Sequence, residues 1–181
     1  MSRITIFEEF DNEHPVVDSE SGSRVHKELI NIGANFEHWE TPEELGLDPN
    51  DTDAAILEAY SPYLDELMGA TGAGSSDVVR LTPDHPEVAA MRAKFLQEHT
   101  HSEDELRFFV AGSGWFFLHI GHRIYRIFCS VGDMIWVPAD VKHWFDAGEE
   151  PNFTALRVFT DTAGWVANFT GENFSQRFPA L

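Results

Sequence analysis

Five short apolar runs rich in aromatic and β-branched residues fill the second half of the chain. They are Leu106–Val110, Trp115–Ile120, Arg123–Cys129, Met134–Val137 and Phe153–Thr160, with glycines interrupting the series. Runs of this length predict strands, and their close spacing predicts an antiparallel barrel or sandwich. Gly121-His122 predicts a hairpin turn between the second and third runs. The first half has a different grain. Ile4–Phe7 predicts a short strand and Ser19–Ser23 a polar turn. Thr41-Pro42-Glu43-Glu44 offers a capping threonine, a proline at the first helical position and an acid three residues after the cap, which predicts a helix start. Within Asp53–Met68, Ile56, Leu57, Tyr60, Leu64 and Leu67 share one stripe, which predicts an amphipathic helix that Pro62 bends or divides. Gly69–Ser76 predicts a surface loop, Val78–Leu81 a strand, and Pro86–Phe95 a helix with Val88, Met91 and Phe95 on a common face.

The expected fold is therefore mainly β with an α/β N-terminal part. At 181 residues the chain is expected to form a single domain, with N-terminal elements over 1–93 packed on a barrel over 94–171. Fifteen Phe and five Trp predict an aromatic interior. The net charge of −19 repels phosphate backbones and anionic lipid, so neither nucleic acid nor membrane is an expected partner. Cys129 is the only cysteine, which excludes an intramolecular disulfide; its apolar neighbours Ile127 and Phe128 place it in the core. No stretch of about 20 apolar residues is present, as a membrane span requires. The N-terminal sequence lacks the apolar run of a signal peptide, so the expected address is cytoplasmic.

Candidate chemistry changes this picture most. His99, His101 and Glu105 share parity, so one strand is expected to aim two imidazoles and a carboxylate into one cavity. His143 would add a third imidazole. Four such ligands on an octahedral ion leave two adjacent positions, and two imidazoles with a carboxylate suit non-haem iron. A His-x-His pair alone is weak evidence, but Gly112, Gly132 and Pro138 punctuate the chain around it. Arg107 shares parity with Glu105, one strand step deeper between Leu106 and Phe108, where a guanidinium can stabilise a developing anion. Glu98 and Asp104 lie beside ligands and are candidates to orient imidazoles or pass protons. The other six histidines (His14, His26, His38, His85, His119, His122) are expected at the surface or in hydrogen bonds.

These spacings resemble the two motifs of the cupin superfamily, a double-stranded β-barrel (jelly roll) with a metal in its mouth. Ala93 and Asp140 stand where the motifs often have glycine. Wider blocks resemble the acireductone dioxygenase family: Lys94–Phe109, Leu118–Gly121, Val137-Pro138, His143–Asp146, Glu150–Arg157, Gly164-Trp165 and Phe169–Gly171. The resemblance runs through nearly the whole chain and is densest over 94–171. It implies a monomeric dioxygenase of methionine salvage acting on 1,2-dihydroxy-3-keto-5-methylthiopentene and O2. It implies one Fe(II) or Ni(II) held by His99, His101, Glu105 and His143. With Fe(II) the family yields formate and 4-methylthio-2-oxobutanoate; with Ni(II), formate, carbon monoxide and 3-methylthiopropanoate. It further implies that Arg107 stabilises the substrate dianion, that Glu98 serves metal incorporation and that Asp104 conveys local conformational change. Phe95, Phe145 and Trp165 match aromatics of the substrate pocket, and Arg157 is a further pocket candidate. Two other readings stay open at this point. One is a different metal-dependent cupin oxygenase or manganese-dependent oxalate enzyme; the other is a non-catalytic cupin binding a metabolite.

Overall fold

The computed structural model describes residues 2–41, 51–161 and 166–180. Of the helix start expected at Thr41-Pro42-Glu43-Glu44, all but Thr41 lies outside the described residues, as does the candidate Trp165. In chain order the elements are β1 (Arg3–Glu8), β2 (Val17–Ser19), α1 (Gly22–Ile30), β3 (Asn35–His38), α2 (Asp53–Ala59), α3 (Ser61–Thr71), β4 (Ser75–Leu81) and α4 (Val88–Phe95). There follow β5 (His99–Thr100), β6 (Glu105–Ile120), β7 (Arg123–Ser130), β8 (Asp133–Val137), β9 (Lys142–Asp146), β10 (Phe153–Phe159), β11 (Asn168–Phe169) and α5 (Phe174–Arg177). Among the described residues no helix is long and apolar enough to cross a membrane.

Every strand pairing is antiparallel, as the short-run spacing predicted. One sheet runs β11-β5-β9-β6-β7-β1-β2. The other places β10 and β8 on either side of β6, with β4 outside β10 and β3 outside β8. β6 belongs to both. The sequence reading divided this strand into Leu106–Val110 and Trp115–Ile120, whereas the structure has one 16-residue strand that bends through its middle. Gly112 makes the bend: its φ is +64°, and a Cβ there would lie 1.9 Å from the carbonyl oxygen of Asn152. Only a residue without a side chain lets the two backbones approach so closely.

Both faces of the N-terminal half of β6 are covered, which explains why Leu106, Phe108, Phe109 and Val110 are apolar on both parities. Leu106, Phe108 and Val110 pack with Ile56 of α2, Leu64 and Leu67 of α3, and Tyr60 at the junction between them. On the opposite face Phe109 joins Phe116, Phe145 and Phe153 in the barrel interior, with Cys129 fully buried in the same cluster. The long amphipathic stretch divides at Tyr60, and Pro62 occupies the first turn of α3, where its missing N–H costs nothing. The expected loop over Gly69–Ser76 is shorter than predicted: α3 continues to Thr71, Gly72 caps it at φ +72°, and β4 already begins at Ser75. The predicted polar turn at Ser19–Ser23 gives way to α1, which buries Val25 and Leu29 four residues apart. Gly121 turns the β6–β7 hairpin at φ +62°.

The two departures from the glycine pattern have simple physical accounts. Ala93 lies inside α4, where glycine would only weaken the helix. Asp140 takes a left-handed φ of +62°, a conformation that aspartate tolerates better than most residues.

Candidate metal centre

α4 ends at Phe95, and the chain enters β5 with His99 directly opposite His143 of β9. The expectation of a single strand carrying His99, His101 and Glu105 is corrected here. β5 stops at Thr100, Ser102 to Asp104 form a turn, and Glu105 opens β6. That turn is held down from outside: Asp104 accepts a hydrogen bond from the Ala139 amide at 2.8 Å, and the Asp140 amide donates to the carbonyl of His101. Asp104 thereby ties the β5–β6 turn to the segment leading to His143.

The three imidazoles converge, their nearest ring nitrogens lying within 4.8 Å of one another. Each Nδ1 faces a backbone carbonyl: His99 that of Gln97 at 2.7 Å, His101 that of Val166 at 3.0 Å, and His143 that of Val141 at 2.8 Å. A carbonyl only accepts, so each Nδ1 carries the proton and each Nε2 presents a lone pair. Glu105 Oε2 lies 3.2 Å from Nε2 of both His101 and His143. All four side chains are buried. With the Nδ1 protons committed outward, the inward-facing atoms are all acceptors in a dry pocket. Such a set is unfavourable by itself and fits a cation between the donors. Three nitrogens and one oxygen suit a first-row divalent ion rather than calcium or magnesium.

Electrostatics favour the same occupancy. Burial, and then the neighbouring His143, push the His99 pKa down to about 3, so the ring is neutral near pH 7. Burial opposes charge on Glu105, but the Arg107 guanidinium beside it holds the carboxyl well below its usual range. Arg107 Nε donates to Glu105 Oε1 at 2.7 Å, leaving Oε2 toward the imidazoles. Its Nη1 is buried with no hydrogen-bond partner among the described residues. The guanidinium stacks over Phe116 and Phe145 at 5.1 and 5.4 Å.

A cavity of about 70 Å³ adjoins the cluster, lined by Lys94, Phe95, His99, His101, Arg107, Arg157, Ala167 and Phe169. Phe95, Arg107 and Arg157, all candidates from the sequence, are among these lining residues. Arg157 is clamped by Asp77 through bonds of 2.9 and 2.6 Å. Phe145 does not line this cavity; it is buried in the barrel core, 6.3 Å from the Phe95 ring, and supports the wall from behind. Glu98 does not face the cluster either. Its carboxylate pairs with His119 Nδ1 at 2.8 Å and accepts from Thr170 Oγ1 at 2.8 Å. Burial disfavours its charge, yet His119 and Thr170 bring its pKa below the ordinary value. The other histidines outside the cluster are also hydrogen-bonded: His14 to Asp11, His26 to Phe36, His38 to Asp133, His85 to Glu87 and His122 to Glu9.

The sequence reading assigned no role to Lys94, Ala167 or Phe169, although Lys94 and Phe169 fall within blocks it singled out. Phe169 pairs with His99 across β5 and β11, and the two rings meet edge to face at 5.8 Å. The carbonyls of Gln97, Val141 and Val166 were also missed, because a backbone oxygen leaves no signature in residue types.

The sequence profile of the ARD/ARD' family matches residues 3–167. An acireductone dioxygenase of Acidiphilium cryptum (strain JF-5) is 52% identical over 179 residues, spanning 99% of this chain and 98% of that protein. The acireductone dioxygenase of Granulibacter bethesdensis is 54% identical over 183 residues, with 99% of both chains covered. Among solved structures, acireductone dioxygenase from Bacillus anthracis, with a cadmium ion in its active centre, superimposes with a TM-score of 0.81. It is 28% identical, covering 93% of this chain and 98% of that one.

Proposed function

Because the chain belongs to the ARD/ARD' family, a cupin fold, we propose that it is a metal-dependent dioxygenase cleaving an acireductone, 1,2-dihydroxy-3-keto-5-methylthiopentene, with O2. The observation that carries this reading is the buried set of three outward-tied imidazoles and one carboxylate beside a cavity walled by guanidinium and aromatic groups. His99, His101, His143 and Glu105 would hold the ion. Bound Fe(II) or Ni(II) supplies Lewis acidity and a template for substrate and oxygen.

The remaining work falls to the chain's own side chains. An acireductone is an acidic enediol, and its deprotonated oxygens need compensating positive charge. Arg107 supplies it through Nη1, the donor without a partner among the described residues. Its Nε fixes Glu105 at the same time, so one guanidinium couples the carboxylate's orientation to the substrate's charge. Phe95 and Phe169 flank the cavity and suit the methylthioalkyl tail while excluding water. Glu98 acts at one remove, through His119 and Thr170, on the segment carrying Phe169. Asp104 holds the β5–β6 turn.

With Fe(II) the expected products are formate and 4-methylthio-2-oxobutanoate; with Ni(II), formate, carbon monoxide and 3-methylthiopropanoate. Both sets conserve the atoms of substrate plus O2. The test is to load metal-free protein with each ion separately, add acireductone anaerobically, admit oxygen and identify products. Oxygen uptake with metal-dependent products is expected. No uptake with either ion overturns the reading.

A further inference from the structure

The protein carries 31 acidic and 12 basic residues, so an anion approaching it meets a repulsive field. Three of the twelve cations nevertheless ring the cavity beside the imidazoles, and no described lining residue is acidic. They are not equivalent. Arg107 is bonded to Glu105 and Arg157 to Asp77, so each belongs to a nearly neutral pair. Lys94 is exposed on the last turn of α4 and makes no ion pair among the described residues.

We propose that Lys94 is an anion-recognition residue at the rim of the cavity, the uncompensated charge that draws an anionic substrate into an otherwise acidic molecule. The assignment rests on the centre taking an anionic enediolate. It goes further by naming the residue that selects for charge before the substrate reaches Arg107. A lysine at a helix C-terminus also gains from the helix dipole, and that alone would place one there. Lys27 provides the matched control: it too is exposed in the last turn of its helix, α1, but does not line the cavity.

The test uses Co(II)-loaded protein with oxalate as the probe, its dissociation constant followed by the visible absorption of cobalt. Lys94→Glu is expected to weaken oxalate binding about three- to tenfold, the scale of an exposed charge pair reversed rather than removed. Lys27→Glu, with the same change in net charge, should leave the constant within about twofold of wild type. Lys94→Gln should flatten the rise of the constant with added salt. Equal effects of the two charge reversals, an unaltered constant in Lys94→Glu, or failure of oxalate to bind wild type would each overturn the assignment. This readout needs no turnover. Protein that binds oxalate in this Lys94-dependent way but consumes no oxygen with acireductone would overturn the dioxygenase reading alone.

Discussion

Arg107 on β6 stands directly opposite Arg157 on β10, two like charges in register on paired strands. Like charges so placed are destabilising unless something compensates them. Here each has its own carboxylate, Glu105 and Asp77, and the Arg107 Nη1 remains unpaired among the described residues. Burial chiefly, with Arg157 adding to it and Glu105 opposing, lowers the Arg107 pKa, yet a guanidinium keeps its charge. Arg107→Ala should therefore retain one metal per chain while kcat falls about 10²–10³-fold, the scale seen when a charge-stabilising donor is removed. Metal analysis and oxygen uptake on the same sample check this. Turnover at the wild-type rate would remove Arg107 from the reaction.

The imidazole set gives a prediction that separates ligand from neighbour. His99→Ala or Glu105→Ala should abolish retention of Fe(II) or Ni(II) through desalting. His119→Ala, which alters a buried histidine outside the cluster, should still retain metal. Stoichiometric metal in the His99→Ala protein would refute its place among the ligands.

Acid should destabilise the metal-free protein in a defined window. His99 titrates at about 3 in the fold and near 6.5 when unfolded, with burial first and His143 second as causes. Between those values the unfolded chain binds the extra proton. Stability therefore declines as pH falls from 6.5 toward 3, by up to about 1.4 kcal/mol per pH unit, and the His99 contribution is full above 6.5. Urea midpoints measured from pH 7 to 4 should show this slope, and His99→Gln should make it shallower. Parallel profiles for the two proteins would contradict the shift.

The candidate ligands were legible in the sequence because they are side chains with restrictive spacing. The strands were legible because alternation and apolar runs are local. What escaped reading was decided elsewhere in the fold. A glycine can end a strand or bend it, and Gly112 bends β6 because the Asn152 backbone passes within reach of its Cα. α1 begins at Gly22-Ser23, a poor helix start, and is held by two apolar anchors, Val25 and Leu29. Parity placed His99, His101 and Glu105 on one strand, but the Asp104 turn intervenes and tertiary pairing restores their convergence. Phe145 is a pocket candidate by resemblance, and in the fold its ring packs against Gly114 in the barrel core, a contact no local pattern announces.

Gly112→Ala should be among the most damaging single-methyl additions. The new Cβ would lie 1.9 Å from the Asn152 oxygen, at a φ of +64° that disfavours alanine. Strain and collision together should cost about 3 kcal/mol or more, which lowers the Tm by about 6–12 °C in a chain of this size. A thermal melt within about 2 °C of wild type would show that the β6 bend can relax.

Glu98 and His119 should prove energetically coupled. Both are buried, their side chains meet at 2.8 Å, and Thr170 closes the other carboxylate oxygen. Removing one partner leaves the other buried with only its weaker contact, Thr170 for Glu98 and Glu9 at 3.7 Å for His119, so Glu98→Ala and His119→Ala should each fall at the lower end of about 3–5 kcal/mol. The double variant should cost clearly less than the sum, because the second deletion removes a group already orphaned. Glu98→Ala should also free Thr170 and loosen β11, seen as faster amide exchange at Asn168–Thr170 than in wild type. Strict additivity, or unaltered exchange over those residues, would mean that the Glu98–His119 pair does not hold the segment against His99.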